Sequence, residues 1–169
     1  MATTMLKGNT VNLAGTELNV GDAAPAVTVP QMDLSDAVVG GSKDKVQLVV
    51  VVPSLDTPVC ATETREFNTK ATSLDGVETT IVSMDLPFAS KRFCSTEGIE
   101  NLTVTSDFRS KEFGNKYGML VADGPLAGVL ARAIFVVGKD GKVAYKQLVP
   151  EITAEPNYDE AINAAKAVV

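Results

Sequence analysis

Two thiols and one oddly placed guanidinium are the groups in this chain whose types and spacing suggest chemistry. Cys60 and Cys94 are the only cysteines, and the 169 residues include no histidine. The missing imidazole excludes Ser-His-Asp and Cys-His catalysis, a haem-type axial histidine and almost every catalytic zinc site. The cysteines form neither a CxxC pair nor a metal knuckle, and two thiols allow one intrachain pairing. A cysteine acts as a nucleophile only as its thiolate. A free thiol is ionised to about 3% at neutral pH, and a drop in pKa to about 6 would raise that to about 90%. The question is therefore what could hold a sulfur as an anion here.

Cys60 closes the run Pro53-Ser54-Leu55-Asp56-Thr57-Pro58-Val59-Cys60. Thr57-Pro58 reads as a helix start, with threonine as N-cap and proline at the first helical position. Cys60 is then the third helical residue, where free N–H groups and the positive end of the macrodipole favour an anion. That end supplies about 1 kcal/mol at an exposed site, less than one pKa unit. The rest must come from arginine or hydroxyl donors. Of Arg65, Arg92, Arg109 and Arg132, the last stands apart, in Val129-Leu130-Ala131-Arg132-Ala133-Ile134-Phe135-Val136-Val137 at the mouth of an apolar strand. A buried guanidinium needs an acceptor, because an unpaired one costs several kcal/mol. A thiolate and a substrate oxygen would serve, and so would an Asp or Glu at the strand end. Thr57 can offer its hydroxyl to the sulfur or to a bound oxygen, and Pro53 would shield the sulfur from water. Each feature also has a plain alternative: a lone cysteine is usually a small buried hydrophobe, and Thr-Pro is common helix capping.

The elements that must position these groups follow from the hydrophobic pattern. Val46–Val52 is a continuous β-branched run, as in a strand buried on both faces, and it stops at Pro53. From Val59 to Leu74, residues Cys60, Thr64, Phe67, Ala71 and Leu74 fall along one helical face, and Asp75-Gly76 ends the helix. Val77–Met84 is a second strand, broken by Asp85-Leu86-Pro87, and Ser90–Glu97 a short helix carrying Cys94. Leu102–Thr105 reads as a strand and Ser110–Asn115 as a helical turn. Ala133–Val137 and Lys142–Leu148 flank the hairpin signal Lys139-Asp140-Gly141. Tyr158, Ala161, Ile162, Ala165 and Val168 mark an amphipathic closing helix, and Met5–Leu13 a short hairpin turning at Gly8-Asn9. A parallel βαβ half followed by an antiparallel hairpin and a last helix is an α/β domain with a mixed sheet, the order of the thioredoxin fold. The length, and the lack of a Pro/Gly/Ser-rich divider, predict a single domain over residues 1–169.

Composition narrows the partners. Lys and Arg total 15 against 21 Asp and Glu, a net charge of −6, which argues against nucleic acid and anionic membranes. The amino terminus lacks the apolar segment of a secretory signal, and the longest apolar run is Leu48–Val52, so a cytoplasmic location is expected. There a disulfide is more often transient and catalytic than structural. Nothing in the sequence calls for a metal or other cofactor.

The octapeptide ending at Cys60 resembles the peroxiredoxin active-site pattern Pro-x-x-x-Thr/Ser-x-x-Cys. Further segments resemble the thiol peroxidase branch of that family, the atypical two-cysteine peroxiredoxins: Asp85-Leu86-Pro87-Phe88-Ala89 with Arg92-Phe93-Cys94, Ala122-Asp123-Gly124-Pro125-Leu126, Leu130-Ala131-Arg132-Ala133, and Gln147-Leu148-Val149 through Glu151-Ile152-Thr153. The likeness runs from about Gly8 to the last helix. It implies a thioredoxin-fold peroxidase in antioxidant defence, reducing hydrogen peroxide and alkyl hydroperoxides. By this resemblance Cys60 is the peroxidatic cysteine, Cys94 resolves it in an intrachain disulfide, and Thr57 and Arg132 hold and polarise the peroxide beside Pro53. It also implies recycling by thioredoxin or a similar CxxC reductant, and a homodimer.

Two other enzymes fit less well. A cysteine phosphatase cradle, Cys-x5-Arg, needs arginine at position 66, where the chain has Glu66, and a dithiol oxidoreductase needs a second cysteine where it has Glu63. A redox sensor on the same scaffold is the non-enzyme alternative, marked by stoichiometric oxidation without turnover.

Overall fold

A computed structural model describes residues 2–71 and 73–169, with only the backbone of Ala71. Ala71, expected on the buried face of its helix, therefore lies outside the described side chains. Five strands make the central sheet: β5 (Val46–Val51), β6 (Val77–Ser83), β7 (Thr103–Ser106), β9 (Ala133–Val137) and β10 (Val143–Leu148), in the order β10-β9-β5-β6-β7. β5, β6 and β7 are parallel, whereas β9 runs antiparallel to both β5 and β10. This is the expected mixed sheet, and all six residues of the central β5 are buried. The crossover helices are α1 (Pro58–Ala71) and α2 (Pro87–Glu97), and the chain closes with α4 (Tyr158–Lys166).

Alternation along the strands splits the interior in two. Leu48, Val50, Ile81, Ile134 and Val136 pack with Cys60, Phe67, Cys94, Ala161 and Ala165, so α1, α2 and α4 cover one face. Val49, Val51, Val82 and Phe135 point the other way, towards Val11, Leu13, Phe113 and Tyr117. On that second face lie β1 (Thr3–Leu6) and β2 (Asn9–Ala14), which pair with β8 (Leu120–Val121), and the helical turn α3 (Glu112–Lys116).

Several boundaries differ from the sequence reading. The first hairpin turns at Lys7-Gly8, one position early, with both residues at positive φ as a two-residue turn requires. Pro87 opens α2 rather than merely ending β6, since proline suits a first helical turn. Val168 lies beyond the end of α4 and is partly exposed. The pair β3 (Val27–Pro30) and β4 (Asp36–Val39) was not expected, nor was β8, because runs of two to four residues carry too little periodicity to stand out.

The helices differ in how they are finished. In α4, Asn157 caps the first turn by accepting from Glu160 N, acidic residues follow, and Lys166 sits in the last turn. In α2 the N-cap is Leu86, no side chain caps it, and neither end carries a charge complementing the dipole. At its N-terminus α2 is the less secured of the two.

Candidate active site

Both cysteines follow the carboxyl ends of adjacent parallel strands, the usual location of sites in open α/β sheets. Val51 of β5 is in register with Val82 of β6, and each strand leads through a short loop into a cysteine-bearing helix. Asp85 ties the two loops together. Its carboxylate accepts from Ser54 Oγ (2.6 Å), Leu55 N (2.7 Å) and Ser83 Oγ (2.9 Å), fixing the approach to Cys60 against the approach to Cys94.

Cys60 is the third residue of α1, as read from Thr57-Pro58, and is fully buried. Pro53 is buried beside the loop. The Thr57 hydroxyl donates to Ser54 O at 3.0 Å, so it braces the loop, while its carbonyl accepts from Ala61 N. In this arrangement the proton of the hydroxyl is directed to the loop backbone rather than to the sulfur.

Arg132 enters from the opposite direction. Because β9 is antiparallel, its first residue, Ala133, is in register with Val51 at the carboxyl end of β5. The residue before it is delivered to the start of α1. Arg132 Nη1 donates to Cys60 Sγ at 3.2 Å and to Glu63 Oε2 at 2.6 Å, and Nε donates to Ile152 O at 2.8 Å. The arginine is 2% exposed and Glu63 fully buried, so the ion pair is shielded from water. A thiol sulfur and a carboxylate share this one nitrogen, and the carboxylate comes from helix α1 rather than from a strand end.

Glu63 was missed as a site residue. It lies three positions after Cys60, on the same buried face, but a search for apolar spacing passes over a carboxylate. Burial pushes its carboxyl up to about 7, with Arg132 opposing in part. Burial also works against the Arg132 charge, but the neighbouring sulfur and carboxylate outweigh it and hold the guanidinium above its usual range.

Cys94 sits in the last turns of α2, buried in the same apolar core as Cys60. Both cysteines are free thiols. Burial pushes the Cys94 thiol up to about 11. Its carbonyl accepts from Gly98 N and Ile99 N, and Gly98 closes the helix in the left-handed conformation. Ser90, one turn earlier, is 2% exposed, and its Oγ has no hydrogen-bond partner among the described residues.

The arrangement suits redox chemistry at sulfur. The cysteine at the helix start has a cation fixed against it, and a second thiol packs in the same core. Among the described residues no cluster of His, Cys, Asp and Glu is suited to hold a metal ion, and no helix is long and apolar enough to cross a membrane.

Comparison with known proteins agrees with this chemistry. The Redoxin family matches residues 19–162. A thiol peroxidase of Aquifex aeolicus is 57% identical over 167 residues, covering 99% of this chain and 98% of its own length. A thiol peroxidase of Campylobacter jejuni is 58% identical over 157 residues, 93% of this chain and 89% of the relative. The crystal structure of a peroxiredoxin-like protein from Aquifex aeolicus superposes with a TM-score of 0.97 at 56% identity, covering 100% of this chain and 98% of that one. The fold, the buried Cys60–Arg132 contact and this full-length similarity lead to one conclusion: the chain belongs to the Redoxin family, in its thiol peroxidase branch, and is a thiol-dependent peroxidase.

Proposed function

We propose that Cys60 is the nucleophile of this peroxidase, that Cys94 resolves the oxidised sulfur, and that thioredoxin or a similar CxxC protein restores the two thiols. The observation that carries this reading is the 3.2 Å contact from Arg132 Nη1 to Cys60 Sγ. A buried guanidinium on a sulfur favours the thiolate, and with no histidine in the chain it is the fixed cation beside that sulfur.

The thiolate attacks the terminal peroxide oxygen. An S–O bond forms, the O–O bond breaks, and its electron pair leaves on the second oxygen. Arg132 is placed to meet the negative charge spread over sulfur and both oxygens, a fixed dipolar role that needs no reorganisation. Thr57 and Pro53 shape the mouth: one braces the loop turn, the other keeps water from the sulfur. Cys60 becomes a sulfenic acid, and Cys94 condenses with it to a disulfide and water. The reductant's dithiol then exchanges with that disulfide.

An open cleft of about 930 Å³ borders the start of α1, lined by Leu55, Thr57, Pro58, Phe88, Arg92 and Phe93 among others. Its apolar rings suit the carbon tail of an organic hydroperoxide, so alkyl hydroperoxides as well as hydrogen peroxide are proposed as substrates. The family resemblance further supports one domain spanning 1–169, a homodimer and a place in the reducing cytoplasm.

Intact mass after one equivalent of peroxide tests the reading. Loss of two hydrogens, with Cys60 and Cys94 linked in the peptide map, supports it. Addition of oxygen at Cys60 with Cys94 still free removes the resolving role, and oxidation that leaves Cys60 a thiol removes the nucleophile.

A further inference from the structure

We propose that Cys60 and Glu63 share a single proton beside Arg132, and that Glu63 passes this proton to the oxygen that leaves when the peroxide bond breaks. The proposal rests on Cys60 being the nucleophile. It starts from a mismatch of charge: one cation faces two acids. Arg132 Nη1 donates to Cys60 Sγ at 3.2 Å and to Glu63 Oε2 at 2.6 Å, and all three side chains are buried. With both acids ionised, the pocket would carry a net negative charge away from water. With both protonated, it would hold an uncompensated guanidinium. Either state costs several kcal/mol, and one proton between the two acids removes the imbalance.

The surroundings favour that count. Glu155 faces Glu63 from the segment leading into α4, and its charge also resists ionisation of Glu63. Tyr158, at the start of α4, lies close enough to feel Glu63, Glu155 and Glu66. The neighbours on these sides are acidic or neutral, and Arg132 is the cation.

The site also needs a proton donor. The leaving alkoxide is a strong base, and no imidazole is available to neutralise it. An arginine does not give up its proton in the neutral range, and the Thr57 hydroxyl is engaged with Ser54 O. Glu63 is the acid beside the sulfur, and burial brings it near neutrality, where general acids work best. One of its oxygens is held by Arg132. The other, Oε1, is buried with no hydrogen-bond partner among the described residues.

The step balances. The Cys60 thiolate gives the electron pair of the new S–O bond, and the pair of the broken O–O bond goes to the alkoxide. The Glu63 carboxyl transfers its proton to that oxygen. Sulfenic acid, alcohol and Glu63 carboxylate result. Disulfide formation then releases water, and the reductant's dithiol returns Cys60 as a thiol. That thiol's proton passes to Glu63 and resets the pair.

The test is the rate of sulfenic acid formation at Cys60 in wild type and in Glu63→Gln, with alkyl hydroperoxides and peroxyacids of graded leaving-group basicity. In the variant we expect reaction about 100-fold slower with alkyl hydroperoxides, the usual worth of a general acid, and little slowing with peroxyacids, whose leaving groups need no proton. Equal slowing across the series, or none, overturns the proposal. Should Cys60 not be the nucleophile, neither protein forms sulfenic acid at that position, which separates the two failures. Wild type alone supplies a second check that needs no variant to fold. The infrared band of a protonated carboxyl should be present in the reduced protein and lost after one equivalent of peroxide. A band that persists, or is absent from both forms, overturns the proposal.

Discussion

Arg132 Nη1 lies 3.2 Å from Cys60 Sγ although 72 positions of chain separate the two residues. The contact exists because β9 runs antiparallel to β5 and ends its ladder opposite Val51. The same guanidinium is held by Ile152 O and Glu63, so its position is fixed from three sides. A lysine keeps the charge but not the planar fork that serves these acceptors together. Arg132→Lys should therefore slow sulfenic acid formation at Cys60 by on the order of 100-fold. Rapid-mixing kinetics with one equivalent of peroxide would measure it, and unchanged kinetics would reduce Arg132 to scaffold.

Burial disfavours the thiolate of Cys94 where it rests. With its thiol pushed up to about 11, only about 0.01% is thiolate at neutral pH; exposure to water would restore about 3%. α2 has no side-chain cap at its N-terminus and no dipole-complementing charge at either end, so Gly98 alone closes the end near Cys94. Oxidation of Cys60 should thus be followed by opening of α2 near Cys94. Amide exchange across α2 should be slow in the reduced protein and faster in the disulfide form, with α4 unchanged. Equal protection of α2 in both redox states would contradict this.

Glu63 makes stability depend on pH in an unusual direction. Its carboxyl stands at about 7 in the folded protein against 4.5 for an ordinary glutamate, so the folded state binds the proton more tightly. Between those values the native protein carries a proton that the unfolded chain has lost. Stability from this group is full below about 4.5 and falls as pH rises towards 7, by on the order of 3 kcal/mol. Glu151 acts in a separate window. The N–H groups of Thr153 and Gly8 hold its carboxylate down at about 2, so its contribution is present above 4.5 and lost as pH falls towards 2. Urea unfolding of wild type and Glu63→Gln from pH 4.5 to 7.5 should show the neutral-side loss in wild type alone.

Ser90 keeps a buried hydroxyl unpaired in α2. Such a group costs about 1–3 kcal/mol relative to a paired one, and alanine is also the better helix former. Ser90→Ala should stabilise the reduced protein by about 1 kcal/mol, seen as a higher urea midpoint with unchanged slope. The firmer α2 should also close the disulfide more slowly. A lower midpoint would mean that the hydroxyl is satisfied in solution.

Most of the elements, and the chemistry on offer, are legible in local signals of the chain. The run at Val46–Val52, the spacing of Cys60, Thr64 and Phe67, and the Lys139-Asp140-Gly141 turn are local signals, because strand burial, helix faces and tight turns each depend on residues close in the chain. With no histidine in the chain, arginine is the side chain left to hold a sulfur as an anion, and Arg132 is a charge set beside an apolar strand. Tertiary structure decided the partners. Only the antiparallel register of β9 brings Arg132 to the sulfur, and only burial turns Glu63 from an ordinary helix glutamate into its ion-pair partner. Likewise the role of Asp85, bridging two loops, depends on β5 and β6 lying side by side. Periodicity records which way a side chain points along its own element, whereas hydrogen-bond partners and desolvation are properties of what another element places against it.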